Sequence, residues 1–196
     1  MLTLAFDTAT QVATSALVWD GEVLAELTSR PVSVLEDVDA LFRRGGVRPH
    51  QLEALVAGTG PGSFTSLRMG IATARALSLA LDVPVAGVST LKALEAGAPG
   101  SLPIIDARRR EVFVLNGEPR VVLPAELDVV GRLCVGDGAV RYRSELAARG
   151  AEIPPDDDER HLPRARFHIE LADDYGPAEL VEPIYLRVPD AERSHA

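Results

Sequence analysis

The chain has 196 residues, of which 46% are hydrophobic, and carries a formal net charge of −9. That length holds one large domain or two small lobes around packed cores. No apolar run reaches the roughly 18 residues that a membrane span needs, and the acidic balance disfavours general binding to nucleic-acid phosphates.

The chain opens with three predicted strands. LTLAF runs into Asp7, VATSALVW follows, and EVLAELTS is joined to it by Asp20-Gly21, a strong two-residue hairpin signal. With no basic segment before the first apolar stretch and Asp7 inside it, the opening argues against a signal peptide and for a cytoplasmic address. Val34, Leu35, Val38, Leu41 and Phe42 then fall on one helical stripe. Ser33 with Glu36 reads as a capping box in front of it, and Gly45-Gly46 ends it. LEALVAG is the next buried strand, so strand, helix and strand suggest a parallel crossover.

Gly58 to Phe64, GTGPGSF, is a glycine-rich turn between that strand and a helix, TSLRMGIATARALSLAL. A turn of this kind can bind anions through free backbone N–H groups. Here no Lys-Ser/Thr pair follows the glycines, and Pro61 removes a donor, so a tight structural connection is the better reading. From Ser66 to Leu81 the helix carries only Arg68 and Arg75 as charges, with small residues at Gly70, Ala74, Ala72, Ala76 and Ala80. A helix apolar nearly all round needs cover on more than one side. Burial against another chain is preferred to burial within its own.

VPVAGV is a strand, Ser89 is placed to cap the short helix TLKALEAG, and the break at Gly97, Pro99 and Gly100 is the expected lobe boundary. A second, shorter series follows: strands LPIID and EVFVLNG, a turn at Asn116-Gly117, strand VVL, and strand RLCVG entering Gly136-Asp137-Gly138. Cys134, alone in the chain and set in an apolar run, is expected in the core and forms no intrachain disulfide. AVRYRSELAARG reads as one helix, PPDDDERHLP as a charged loop, RARFHIELADDYG as a weak helix and LVEPIYLR as an extended closing segment. None of His50, His161, His168 and His195 makes a metal-type pair with another, and a solvated role is expected for His161 and His168. Arg108-Arg109-Arg110 is the only basic cluster, read as a solvated turn with RNA contact as the lesser alternative. Both halves share the order strands, hairpin, helix and glycine turn, which hints at duplication.

GPGSFTSLRMGIATARALS resembles the hallmark segment of the TsaB (YeaZ) family, and FDTATQVATSALV its opening strands. VPVAGVSTLKALE, IIDARRREVFV, VGDGA and EPIYLRVPDAE follow in the family's order, so the resemblance runs from residue 2 to about 192. Three positions depart from it: Ser66 and Arg110 stand where glycine is usual, and Val32-Ser33 where His-Ser is usual.

The resemblance implies an α/β, actin-like ATPase (ribonuclease H-like) fold with two lobes, each a mixed sheet flanked by helices. Residues 1–100 would form the first lobe and 101–196 a shorter second one, with the last segment free to return to the first. It implies a non-catalytic subunit that needs TsaD and the ATPase TsaE. Together they transfer threonylcarbamoyl to the adenosine beside the anticodon of tRNAs reading codons that begin with A. It implies a homodimer when alone, tRNA contact only through the complex, no membrane and no cofactor of its own. The expected partner and dimer surface is Thr65, Ser66, Arg68, Met69, Gly70, Thr73, Ala74 and Leu77. The expected vestigial nucleotide cleft is Asp7, Thr8, Thr10, Gly60, Gly62, Ser63 and Asp106, with no metal ligand set and no catalytic residue.

The alternative is an actin-fold ATPase or a metallopeptidase-like hydrolase acting alone. Asp7 and Asp106 could face a cleft and hold magnesium. However, no lysine stands near them to stabilise developing phosphoryl charge, and no H-E-x-x-H pattern occurs.

Overall fold

Strands β1 (Leu2–Asp7), β2 (Ala13–Trp19) and β3 (Glu22–Ser29) form an antiparallel ribbon, and Asp20 and Gly21 take positive φ in the turn between β2 and β3. Helix α1 (Val34–Gly45) crosses to β4 (Ala54–Gly58), and α2 (Phe64–Leu81) crosses to β5 (Val85–Val88). Both crossovers are parallel, giving the order β3-β2-β1-β4-β5. The structure is a computed structural model and describes residues 1–187. His195 and the end of the EPIYLRVPDAE motif lie outside those residues.

Helix α3 (Thr90–Gly97) leads to the second sheet. Strands β6 (Leu102–Asp106), β7 (Val112–Asn116), β8 (Glu118–Val122) and β9 (Cys134–Val135) take the order β8-β7-β6-β9. β6 and β9 are parallel, and the β7–β8 hairpin is antiparallel. Pro119 is tolerated in β8 because that strand is an edge. The second sheet thus repeats the first: an antiparallel ribbon on one side of a central strand and a parallel partner on the other.

Helices cover the sheets unequally. α1 and α2 bury Val38, Leu41, Leu67 and Ile71 against one face of the first sheet. Helix α6 (Ala165–Leu171) returns to the opposite face, where Ala165 meets Ala5, Ala16 and Val56. In the second sheet, Ile104, Val112, Cys134 and Leu146 form a separate core. We propose the lobe boundary at Gly97–Gly100, with the chain from Ala165 onward belonging to the first lobe.

Several local expectations need correction. Ser33 makes no capping hydrogen bond, because a 3-10 turn at Pro31–Ser33 precedes α1 and pulls it out of capping geometry. Ser89 does not cap α3 either; its hydroxyl donates to the Gly60 carbonyl at 3.3 Å. The single helix expected after Gly138 is two, α4 (Asp137–Arg141) and α5 (Arg143–Ala148), which meet at Tyr142. His161 and His168 are buried rather than solvated, each held by two polar partners.

The phase of α2 is the largest correction. Leu67, Gly70, Ile71, Ala74 and Ser78 face inward. A Cβ on Gly70 would stand 2.2 Å from Thr8 Oγ1, which donates to the Ser66 carbonyl at 2.7 Å. Gly70 and Ala74 therefore set how closely α2 approaches its own sheet, not how closely another chain approaches α2. Ala74→Glu is expected to bury an unpaired carboxylate at a cost of about 3 kcal/mol or more. Circular dichroism should show a melting temperature lower by roughly 10 °C, with or without any partner.

Candidate functional site

Asp7 sits at the end of β1 with no exposed side-chain surface. Its Oδ1 accepts the Ala9 N–H at 2.6 Å. Its Oδ2 accepts the Thr90 hydroxyl at 2.6 Å and His168 Nε2 at 2.8 Å. Gly58 allows this approach, since a Cβ there would lie 2.2 Å from Asp7 Oδ2. Thr90 Oγ1 in turn accepts the Gly60 N–H at 3.1 Å, while the Gly60 carbonyl takes the Thr90 N–H at 2.8 Å. The carboxylate is thus held by the loop after β1, by α3 and by α6. His168 was not expected here; an acceptor-rich junction behind β1 carries no periodic signal in sequence.

A cleft of about 400 Å³ lies between the two sheets. Thr10, Gly62, Ser63 and Asp106 line it, whereas Asp7, Thr8 and Gly60 do not. Its walls are mostly apolar, including Ala9, Ile105, Phe113, Ile184 and Leu186. A magnesium nucleotide does not fit the residues present. Asp7 is turned away into the junction, and Thr8 is committed to Ser66. The N–H groups of Gly60 and Ser63 are spent on Thr90 and on the Ala9 carbonyl. Among the described residues no group of three or more His, Cys, Asp or Glu is placed to hold a metal ion.

Asp106 and Asp137 meet on the second-lobe wall. The Asp106 N–H donates to Asp137 Oδ1 at 2.9 Å, and Asp106 Oδ1 accepts the Arg108 N–H at 3.0 Å. Asp106 Oδ2 has no hydrogen bond but stands 3.4 Å from Arg108 Nη1 and 3.5 Å from Arg141 Nε. Burial pushes the Asp137 carboxyl above its ordinary value. The Asp106 charge adds to this, against the lowering effect of the N–H groups of Asp106 and Gly138. Arg108, Arg109 and Arg110 follow with φ of 62°, 53° and 63°, all left-handed and all exposed. Each such non-glycine residue costs roughly 1–2 kcal/mol.

The outer face of α2 is the second feature. Thr65 and Arg68 are exposed, and Ser66, Met69, Thr73 and Leu77 are half-buried. Residues outside the expected surface complete the face: Ala72, Ala76 and Ala80, noted in the sequence as small, are exposed, and Leu79, which was missed, is 86% exposed. The turn before α1 touches α2 and adds Val32 at 73%, with Leu35 at 58% just beyond it. Both arginines of α2 grip the returning chain. Arg68 stacks 3.8 Å over Phe64 and donates to the Tyr185 hydroxyl at 2.7 Å. Arg75 donates to the Val181 carbonyl at 2.8 Å.

The Asp137 shift has a definite sign. A carboxyl whose folded pKa is raised holds its proton better in the folded state. Its contribution is therefore present below the unfolded value and is lost as pH rises through the folded one. Asp137→Asn keeps the acceptor for the Asp106 N–H and removes that dependence. The variant should melt no lower than the parent at pH 7, and the gap in its favour should shrink as pH falls towards 4. Melting curves across that range check it.

The chain matches the family model described as TsaD, tRNA N6-adenosine threonylcarbamoyltransferase, over residues 26–140. It is 35% identical over 96% of its length to an uncharacterized protein of Mycobacterium tuberculosis, covering 93% of that protein. It is 38% identical over 58% of its length to the tRNA threonylcarbamoyladenosine biosynthesis protein TsaB of Escherichia coli, covering 53% of that protein. The structure of YeaZ from Pseudomonas aeruginosa superimposes with a TM-score of 0.74 at 27% identity, covering 94% of this chain and 99% of that one. A second Pseudomonas aeruginosa structure, with similarity to peptidase YeaZ, gives 0.78 at 26% identity over 95% and 99%. With the two-sheet, actin-like architecture these place the chain: it belongs to the TsaB (YeaZ) family.

Proposed function

We propose that this chain serves in threonylcarbamoyladenosine synthesis on tRNA as a non-catalytic scaffold and activating subunit. Its partners in this reading are the catalytic subunit TsaD and the ATPase TsaE, and it pairs with itself when TsaD is absent. The TsaB-named relatives support the pathway. The fate of Asp7 supports the non-catalytic role. The Asp7 carboxylate is fully buried, with Oδ1 bonded to the Ala9 N–H and Oδ2 to Thr90 and His168, which places it poorly to meet a metal or substrate. The stand-alone ATPase reading loses its first residue by the same observation. We place the work in the cytoplasm; no helix among the described residues is long and apolar enough to cross a membrane.

The observation that carries the scaffold reading is the outer face of α2, where small side chains flank Leu79 and where Val32 and Leu35 extend the apolar surface. Small residues let a partner helix come close, and Leu79 gives it something to bury. Thr65, Ser66, Arg68, Met69, Thr73 and Leu77 stay in the proposed surface, and Gly70 and Ala74 leave it.

Ala76→Glu and Leu79→Glu should melt as the parent does, because both side chains are exposed. Each should weaken association with TsaD by more than a hundredfold, equivalent to about 3 kcal/mol. Sedimentation with and without TsaD measures this, and folded variants that bind TsaD normally would sink the proposal. Calorimetry of the isolated chain with ATP should give a dissociation constant no tighter than roughly 1 mM.

A further inference from the structure

We propose that the β6–β7 turn contacts the phosphate backbone of the RNA substrate through Arg110; this rests on the reading of the chain as a tRNA-modification subunit. Three consecutive arginines occupy left-handed backbone, a conformation that glycine takes without steric penalty and that Asn or Asp takes next most readily. Arginine has no local hydrogen bond to offer its own backbone in that region. Its presence is explained by use of the side chain.

The contacts that hold the turn show which side chain is left for that use. The Arg108 N–H is fixed by Asp106 Oδ1, the Glu111 N–H by the Arg108 carbonyl at 2.9 Å, and the Ala107 N–H by the Glu111 carbonyl at 3.0 Å. None of these needs the side chain of Arg110. Arg108 faces Asp106, Arg109 has a partner of its own, and Arg187 pairs with Glu111 and donates to the Ala107 carbonyl at 2.9 Å. Arg110 is exposed and makes no hydrogen bond or ion pair among the described residues.

The nearby acids, Asp106, Asp137 and Glu111, are outnumbered by Arg108, Arg109, Arg110, Arg141 and Arg187, with Arg108 and Arg141 facing Asp106 and Arg187 pairing with Glu111. The turn is therefore locally cationic on a chain of net charge −9. A guanidinium fork matches a phosphate bidentately. The overall negative charge means that the turn orients RNA already held by the assembly and does not capture it from solution. An acidic protein surface is the competing occupant, and the experiment below separates the two.

The test uses the assembled complex of this chain with TsaD and TsaE, and an unmodified tRNA transcript as probe. Affinity is measured across a salt series, and the isolated chain is melted in parallel. Arg110→Gly relieves the backbone, so its melting temperature should rise. Its complex should bind tRNA roughly 3- to 10-fold more weakly, with the salt slope smaller by about 1. Arg110→Lys keeps the charge and should keep the slope. An Arg110→Gly complex with parental affinity and slope would overturn the proposal and leave the subunit reading intact. Weakened assembly with unchanged RNA binding would overturn it in favour of a protein contact. A parental complex that neither binds nor modifies tRNA would overturn both.

Discussion

A buried carboxylate constrains this molecule more than any other single group. Taken from water without partners, Asp7 would cost several kcal/mol. Its partners come from three places: the loop after β1, the start of α3, and α6 near the end of the described chain. Holding them together fixes α3 against the glycine turn through Thr90 and Gly60, and fixes α6 against the back of the first sheet through His168. The same geometry turns the carboxylate away from the cleft. The stability of the first lobe and the orientation of Asp7 away from the cleft are thus two results of one arrangement.

The sequence made the strands and their hairpin legible because those signals are local. Alternation and Asp20-Gly21 act within a few residues, and the crossover order follows from them. The phase of α2 was not legible. With apolar or small residues on every side, periodicity gives a helix but no inside. The one available signal was Arg68 and Arg75, which mark the solvent side and put Gly70 and Ala74 opposite it. Once the phase is fixed, the exposed alanines and Leu79 follow by helical geometry.

Other features depend on contacts across long sequence separations. Ser33 and Ser89 carry good cap chemistry, but the chain before α1 is already turning and Ser89 is taken by Gly60. His168 pairs with a residue 161 positions away, which no spacing rule reaches. The three arginines announced themselves as charge, while their left-handed backbone did not. It is imposed by Asp106 and by closure of the β6–β7 turn.

The grip of Arg68 and Arg75 on the returning chain adds a second tie between α2 and the cleft, which Phe64 at the start of the helix already lines. Tyr185 leans on Phe64 and Arg68 at the start of α2, while Ile184, Tyr185, Leu186 and Arg187 form one wall of the cleft. A partner that seats on α2 and draws on Arg68 or Phe64 would act on contacts that hold that wall. By thermodynamic reciprocity, a molecule that fills the cleft must then alter affinity at α2 by the same factor. The protein would then behave as a relay: occupancy between the lobes is reported on the helix, and docking on the helix is felt between the lobes.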